Sequence, residues 1–585
     1  MYSELVEVYE ALYSTTKRLE KEKILAEFLR KLKEKGESGW IYLLRGKTFA
    51  DYDDREFGVS GKLAMKAIGK SFGVSEDELS KTYRKIGDVG EIAEKFAARK
   101  KQRNLFSKKL SIEKVFDNLR KLVEMEGKGA VGRKLDLVSE LLGNASDKEA
   151  KYIVRTLIGQ LRVGIADAIL RDAIAEAFFA EEKKEMSKII ETAFDMCNDF
   201  AAVFDAASGG RKSLDKIKVA LGRPMNVMLP VKVESVEEAF RICGKPAAIE
   251  HKYDGFRVVI SKQGDEIKLF TRRLEEVTKQ FPDVVKIVRE HVKGREFILD
   301  SEVVGYNPKT KQYRPFEAIS QRIRRKYDIE KLESELPVEV NVFDVIYHDG
   351  KSYLEETFRE RRKLIEKIVK GVVWKIRVAK QIVTDSEEEA MKFYKEAIKL
   401  GEEGIMVKNL DAPYQQGRRV GYMVKMKPQS ADLDLVIIGA EYGSGKRAGR
   451  LTSYILGVRK GNEFVAVGKA SSGLKEKPSV SINLPKLGQV KELEQEGGVT
   501  YDDMTNLLKP LIVSESGKTV KVKPKIVVSV IYQNIQKSPS YDSGFAMRFP
   551  RITHYRPDRG TKDIATIEDI EREWKRMMKG MSHLG

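Results

Sequence analysis

The stretch Glu250-His-Lys-Tyr-Asp-Gly-Phe-Arg257 decides how the rest of the chain is interpreted. It places Lys252 just before an acidic turn and an arginine, and a strand-like run over residues 257–262 follows. A lysine amine titrates near about 10.4, so an attacking lysine needs a lowered pKa or positive neighbours. A single Lys-x-Asp-Gly is more often a surface lysine of a basic protein. The residues that accompany Lys252 further along the chain therefore decide between the two interpretations.

The composition indicates a large globular protein with a polyanionic partner. A chain of 585 residues is expected to form three or four domains, and 42% hydrophobic and 34% charged residues are typical of a soluble protein. Lys and Arg number 108 against 89 for Asp and Glu, a formal charge of +19, which favours nucleic acid as the partner. The high Lys and Glu content is also compatible with a thermophilic source.

Nothing in the sequence predicts a membrane span or export. No apolar run approaches the roughly 18 residues of a membrane helix, and the amphipathic start does not resemble a signal peptide. The two cysteines, Cys197 and Cys243, are too few for a disulfide framework or a four-cysteine zinc site. We therefore expect an intracellular, cytoplasmic protein in a reducing compartment.

Changes in periodicity predict three domains. Residues 1–220 have apolar residues at helical spacing and are expected to be all α, with a long helical run from Tyr152 to Phe179. Residues 221–430 predict an α+β domain with antiparallel hairpins. Residues 431–585 contain short strand-like runs with Gly-rich turns and predict a small β-barrel, for which an OB-fold is the usual form.

The central domain gives the most detailed prediction. The expected strands are 247–261, 266–271, 296–306, 338–347, 404–409 and 420–427. Gln263-Gly-Asp265 and His348-Asp-Gly350 are typical of hairpin turns, and Thr384-x-x-Glu387 predicts the start of a helix. In one of these strands Asp300 and Glu302 are two residues apart and therefore share a face. Buried like charges at this spacing imply a cation or a polar ligand beside them.

Lys252-x-Asp254-Gly255-x-Arg257 resembles motif I of the covalent nucleotidyltransferases, the superfamily of ATP-dependent DNA ligases, RNA ligases and mRNA capping enzymes. The resemblance implies that Lys252 is the catalytic residue and carries AMP or GMP through a phosphoramidate bond. Any one motif of the superfamily is a weak indication. Six motifs occur here in the required order, over roughly residues 250 to 560, and together they are a strong indication of this superfamily.

The resemblance also implies which residues bind the nucleotide. Arg272 would contact the ribose or a DNA 5′-phosphate, Phe343 would stack on adenine, and the lysines at 425 and 427 would neutralise the α-phosphate. The full set implied for nucleotide binding is Glu250, Arg257, Arg272, Glu302, Phe343, Arg419, Lys425 and Lys427.

Two acidic motifs are implied to bind metal. Glu302 would contact metal or ribose, and Glu403 would bind the catalytic metal, with Lys408 in phase to point at the same site. The last motif is represented by Arg556, Asp558 and Arg559, where an arginine replaces the usual final lysine.

The helical first third is also similar to the DNA-binding domain of archaeal and eukaryotic replicative ligases, including Leu161-Arg-Val-Gly-Ile165. The chain is thus identified as a member of the archaeal-type ATP-dependent DNA ligases. This membership implies ATP and Mg²⁺, or Mn²⁺, as cofactors. The implied substrate is nicked double-stranded DNA in replication, repair and recombination.

Three alternatives are weighed against a ligase. An mRNA capping guanylyltransferase shares the lysine motif but does not need 220 helical residues before it. An NAD-dependent ligase carries a four-cysteine zinc module, which two cysteines exclude. A non-enzymatic DNA clamp explains the positive charge but leaves the acidic and basic strand faces without a purpose.

One further segment resembles a protein-binding motif. Gln102, Leu105 and Phe106 lie among basic residues and are similar to the sliding-clamp-binding segment at this place in archaeal ligases. A helix end with two core anchors is an equally good interpretation. The protein itself is expected to be a monomer.

Overall fold

The computed structural model describes most of the chain as two compact units. The described residues are 1–53, 55–99, 109–314, 316–323, 329–418, 422–428, 432–476 and 499–582. The first unit comprises 1–67 and 100–428, and the second comprises 68–99 and 429–585. None of the helices in the described ranges combines the length and apolar character needed to span a bilayer.

Twenty α-helices are present in the described residues. Their bounds are α1 Tyr2–Ser14, α2 Arg18–Lys35, α3 Gly61–Phe72, α4 Glu76–Ile86, α5 Val89–Ala98, α6 Ile112–Glu124, α7 Ala130–Asn144, α8 Asp147–Leu157, α9 Asp167–Phe178, α10 Lys183–Cys197, α11 Phe200–Ser208, α12 Arg211–Leu214, α13 Val236–Cys243, α14 Pro282–His291, α15 Phe316–Ile323, α16 Ile329–Glu335, α17 Phe358–Ile368, α18 Glu387–Lys399, α19 Tyr501–Leu508 and α20 Ile567–Ser582. The expected helical character of the N-terminal region is confirmed.

Twenty-two strands follow in the described residues. Their bounds are β1 Met228–Leu229, β2 Val231–Val233, β3 Ala247–Lys252, β4 Phe256–Gln263, β5 Glu266–Thr271, β6 Glu296–Gly305, β7 Val338–His348, β8 Lys351–Ser352, β9 Ile376–Val378, β10 Gln381–Thr384, β11 Gly404–Asn409, β12 Gly417–Arg418, β13 Met423–Met426, β14 Asp432–Tyr442, β15 Leu451–Lys460, β16 Glu463–Ala470, β17 Ile512–Ser516, β18 Thr519–Val522, β19 Val527–Ile531, β20 Ile535–Lys537, β21 Phe545–Met547 and β22 Arg551–Tyr555.

The long helical run predicted from Tyr152 to Phe179 is wrong. Helix α8 ends at Leu157 and α9 begins at Asp167. Between them Gly159, Arg162 and Gly164 have φ of 64°, 60° and 68°. A right-handed helix cannot pass through residues in the left-handed region, so the apolar spacing continues across a segment that is not helical.

The central part of the first unit contains two sheets that pack face to face. The first sheet has the order β10-β3-β11-β13-β2, and the second has the order β5-β4-β6-β7-β8 with β9 beside β7. Most pairs are antiparallel, whereas β2 and β13, and β7 and β9, pair in parallel. An apolar cluster that includes Val259 and Ile298 of one sheet and Met423 of the other lies between them.

The predicted strand 247–261 is in fact two strands in different sheets. Strand β3 ends at Lys252 and β4 starts at Phe256, so Tyr253, Asp254 and Gly255 carry the chain from one sheet to the other. A side chain at position 255 would collide with the Val303 carbonyl oxygen, which explains the glycine. The lysine motif is therefore a connection between two sheets.

Other local predictions are confirmed or need a small correction. The hairpin turns around Gly264 and Gly350 both form, with φ of 60° and 86°. The helix predicted to begin at Thr384 instead begins at Glu387, because Ser386 is its N-cap and accepts a hydrogen bond from the Glu389 amide. Thr384 is the last residue of β10.

The second unit is built around the long strand β14. Strand β15 pairs along one side of β14, while β19 pairs with its first half and β18 with its second half on the other side. Strands β16, β17 and β22 extend this sheet to seven strands. The C-terminal region is thus an antiparallel strand domain as expected, and an OB-fold remains a prediction.

Candidate active site

The register of the first sheet brings four charged residues onto one face. Lys252 is opposite Gly404, and Glu250 is opposite Met406. Met406 is in turn opposite Lys425 on β13. Because alternate residues of a strand share a face, Glu250, Lys252, Lys408 and Lys425 all project from the same side of this sheet.

Glu403 contacts two of the site's lysines. Its carboxylate forms an ion pair with the Lys252 amine, and Lys427 Nζ lies 2.6 Å from Glu403 Oε2. The Glu403 amide also donates a hydrogen bond of 2.8 Å to the Lys252 carbonyl. Burial raises the pKa of Glu403, but Lys252 and Lys427 outweigh it and hold that pKa near about 2.

Of the two features that an attacking lysine can use, a lowered pKa or positive neighbours, Lys252 has only the neighbours in this structure. Burial favours the neutral amine, but the nearby carboxylates of Glu403, Glu302 and Asp254 outweigh burial and raise the pKa above its ordinary value. Burial and the charge of Lys252 lower the pKa of both Lys425 and Lys427.

Glu250 is buried and lies in a network of its own. Lys408 Nζ lies 2.7 Å from its carboxylate, while Gln381 donates a hydrogen bond of 2.9 Å and Arg362 one of 3.3 Å. The Lys408 ammonium is also 4.8 Å from the centre of the Phe343 ring. Lys408 thus lies on the predicted face, but its ion pair is with Glu250 rather than with Glu403.

Phe343 is the extra residue of a β-bulge. Ser301 is opposite Val342 and Asp300 is opposite Asp344, which leaves Phe343 without a partner on β6. A bulge changes the direction of a side chain and recurs beside active sites. The half-buried ring has Lys408 on the neighbouring sheet and Arg257, at 5.3 Å, on its own sheet as cationic neighbours.

Asp300 and Glu302 share a face as predicted, yet their surroundings differ. Arg257 forms a bidentate pair with Asp300 at 2.8 and 2.5 Å, and the Tyr414 hydroxyl donates to the same carboxylate at 2.6 Å. Asp300 is therefore neutralised within the protein and does not itself indicate a ligand. Glu302 has no hydrogen bond or ion pair with any described residue, and burial raises its pKa to about 7.

The structure gives less information on the remaining predicted nucleotide-binding residues, Arg272 and Arg419. Arg272 is exposed just after β5, and its charge contributes to lowering the Lys425 pKa, so the two side chains are near each other. Arg419 lies outside the described residues, as do Gln102, Leu105 and Phe106.

The last motif lies in the second unit. Arg556 donates two hydrogen bonds to Asp558, at 2.9 and 2.6 Å. Arg559 Nη1 lies 2.6 Å from Asp434, which is also 3.4 Å from Arg556 Nη1. Both arginines line a cavity of about 350 Å³ together with acidic residues that include Asp563.

The donor set fits a magnesium ion. The described residues contain no group of three or more His, Cys, Asp or Glu side chains that could hold a metal. Mg²⁺ is commonly bound by only one or two carboxylates together with substrate phosphates and water. Glu302, in the second sheet, and Glu403, just before β11 of the first sheet, are two carboxylates whose charges act on Lys252, and they are the residues that would hold such an ion.

Several residues of the site were not found from the sequence. Glu402 is buried and accepts a hydrogen bond of 3.3 Å from the Asp254 amide, and burial raises its pKa to about 8. Its position next to Glu403 could have indicated it. The other residues are Asn341, Arg362, Arg377, Gln381 and Tyr414, which occur singly in segments without a motif.

Matches to known proteins extend over the whole chain. Residues 1–175 match the family described as DNA ligase N terminus, 227–427 the ATP dependent DNA ligase domain, and 447–559 the ATP dependent DNA ligase C terminal region. The DNA ligase of Nanoarchaeum equitans is 42% identical over 100% of this chain and 99% of its own length. The DNA ligase of Thermococcus fumicolans is 40% identical over 97% of both chains.

A solved structure supports the same fold at a greater distance. The structure called Pmar-Lig_Pre has a TM-score of 0.57 and 17% sequence identity, and the match covers 94% of this chain and 99% of that one. The predicted succession of helical, nucleotidyltransferase and antiparallel strand domains is confirmed. From the family matches and the full-length relatives, this chain belongs to the family of ATP-dependent DNA ligases.

Proposed function

We propose that this protein seals nicks with a 5′-phosphate and a 3′-hydroxyl in duplex DNA, with ATP as the adenylate donor, and that it acts in replication, repair and recombination. One observation carries the proposal. The amine of Lys252 lies at the connection between two sheets, in contact with Glu403 and near the cationic side chains of Lys425 and Lys427. A nucleophile, a metal-binding carboxylate and phosphate-neutralising cations are the groups that adenylyl transfer needs.

In the first step the Lys252 nitrogen forms a bond to the α-phosphorus of ATP. The bond from this phosphorus to the bridging oxygen breaks, pyrophosphate leaves, and the amine loses a proton. Lys425 and Lys427 neutralise charge on the α-phosphate, and Phe343 stacks on the adenine ring. A Mg²⁺ ion bound by Glu302 and Glu403 would offset charge on the phosphate oxygens.

Two further transfers complete the reaction. The DNA 5′-phosphate attacks the same phosphorus, the bond to Lys252 breaks, and AMP is carried on the DNA end. The 3′-hydroxyl then attacks the DNA phosphate, AMP leaves and the strand is closed. Positioning and electrostatic stabilisation supply most of the catalysis in such transfers, so one set of cations can serve all three.

Incubation with a labelled nicked duplex, ATP and Mg²⁺ should give sealed strands. Removal of divalent metal with EDTA should abolish sealing, because the described carboxylates and lysines alone leave the triphosphate charge incompletely balanced. The readout is a denaturing gel, with NAD and GTP as alternative donors. Sealing that needs NAD rather than ATP, or transfer of GMP to an RNA end, would contradict the proposed activity.

We also propose that the protein is a monomer and contacts a sliding clamp through Gln102, Leu105 and Phe106. Co-elution with the organism's clamp should be lost in the Leu105→Ala/Phe106→Ala variant, because two apolar anchors are removed. A Lys108→Ala/Lys109→Ala variant is the matched control for the neighbouring positive charge. Co-elution that survives the apolar double substitution would exclude this segment as the main contact.

A further inference from the structure

Asn341 is a fully buried amide on the ligand-facing side of the second sheet. Val340 and Val342, its neighbours on β7, both belong to the apolar core on the other side of this sheet. Asn341 therefore projects toward the face that carries Arg257, Asp300 and Glu302. Its exposed fraction is 0%, and β-sheet pairing places it directly opposite Glu302.

The contacts of Asn341 determine which way its amide is oriented. Arg377 Nε donates a hydrogen bond of 3.0 Å to the Asn341 side-chain oxygen. Because a guanidinium can only donate, the atom facing Arg377 has to be the oxygen and not the nitrogen. The Nδ2 group is thus directed away from Arg377, and no described residue accepts a hydrogen bond from it.

A buried amide donor without an acceptor is costly, by an amount comparable to a lost hydrogen bond. Nδ2 is closed off from solvent, so a neighbouring side chain that turns toward it can supply the missing acceptor. Directly opposite cross-strand side chains on one face are close enough to interact. The residue in that position is Glu302, whose carboxylate also has no hydrogen-bond partner among the described residues.

We infer that Asn341 is a positioning residue for Glu302. Arg377 fixes the Asn341 amide, and Nδ2 donates to the Glu302 carboxylate when this side chain turns to receive the nucleotide. The hydrogen bond then holds one carboxylate oxygen and leaves the other directed toward the ribose or metal. This inference rests on the proposed function, because it assumes that Glu302 contacts the bound nucleotide complex.

A double-mutant cycle on lysine adenylation tests the inference. The chain with Glu302→Ala, with Asn341→Ala, and with both is incubated with ATP and Mg²⁺, and kcat and KM of covalent labelling are measured separately. Asn341→Ala alone should lower kcat/KM by roughly tenfold to a hundredfold, the effect of one hydrogen bond to a charged group. In the Glu302→Ala background the same substitution should have no further effect, because residues that act as a unit are not additive.

Two more variants separate positioning from folding. Asn341→Asp keeps the oxygen that accepts from Arg377 and, when ionised, lacks the donor, so it should lose activity at least as strongly as Asn341→Ala. The unfolding temperature of each variant is measured beside its activity. Ser301→Ala is the matched control, because its buried hydroxyl donates 2.8 Å to Val258 from the neighbouring position of β6. It should leave adenylation unchanged.

The outcomes distinguish the inference from the proposed function. If Glu302→Ala has normal activity, the proposed role of Glu302 is wrong. If Glu302→Ala is impaired but Asn341→Ala lowers activity by the same factor in both backgrounds, Asn341 does not act through Glu302 and the inference is wrong. Wild-type activity of Asn341→Asp would also overturn it.

Discussion

Lys252→Ala and Lys252→Arg should each abolish covalent labelling of the protein by ATP that carries the label on its α-phosphate. The alanine variant has no amine, and the arginine variant keeps a guanidinium that stays protonated and does not attack. Loss of a covalent nucleophile lowers a rate by about 10⁴-fold or more. This is the largest effect expected of any single substitution in the chain.

The measurement is a denaturing gel after incubation with labelled ATP and Mg²⁺. Lys245→Ala is a suitable control, since Lys245 is about half exposed and its only described ion pair is a surface contact of 3.2 Å with Glu387. A second readout is closure of a nick that already carries AMP, which does not use the lysine adenylate and should persist in both Lys252 variants. Undiminished labelling of either variant would remove Lys252 from the mechanism.

The motif around Lys252 does not determine the pKa of its amine. The motif identifies the lysine, yet the charge state of the amine depends on Glu403, from the segment just before β11, and on Glu302, from the facing sheet. Their net effect opposes burial and keeps the proton on the amine. The sign of this balance is a property of tertiary contacts, so it could not be predicted from the residues around Lys252.

Strand positions were predictable where a turn with special backbone conformation bounds them. Strand β5 matches its predicted range and β7 ends one residue beyond its own, and the turns next to them at Gly264 and Gly350 have the positive φ that glycine adopts readily. The interruption at residues 158–166 was missed because its apolar residues keep helical spacing. Leu161, for example, is buried although it lies in no helix.

The surroundings of Asp300 and Glu302 also could not be predicted from the sequence. Their alternation correctly predicted a shared face, but the sequence could not show that Arg257 and Tyr414 already satisfy Asp300. The same is true of Asn341, whose inferred role rests on its register opposite Glu302 and its bond to Arg377. A single polar residue in an apolar strand has no periodic signal that distinguishes it.

Arg556→Ala and Asp558→Ala should strongly impair formation of the lysine adenylate while sparing closure of a pre-adenylated nick. Pyrophosphate leaves in the first step and needs positive charge opposite the attacking amine. Asp558 orients Arg556 through two hydrogen bonds, so removal of this carboxylate takes away two of the contacts that hold the guanidinium and leaves the longer one of 3.4 Å to Asp434. Loss of one such charge contact is expected to slow the first step by about a hundredfold.

The experiment compares two reactions of the same variants at single turnover: self-labelling with ATP, and closure of a nick that already carries AMP. Lys562→Ala removes an exposed cation from the same segment and serves as the control for net charge. Lys252 belongs to the first compact unit and Arg556 to the second. The two reactions therefore separate a role of this segment in the first step alone from a role in every step. If the variants close the pre-adenylated nick as slowly as they label themselves, the segment acts throughout the reaction and its assignment to the first step is wrong.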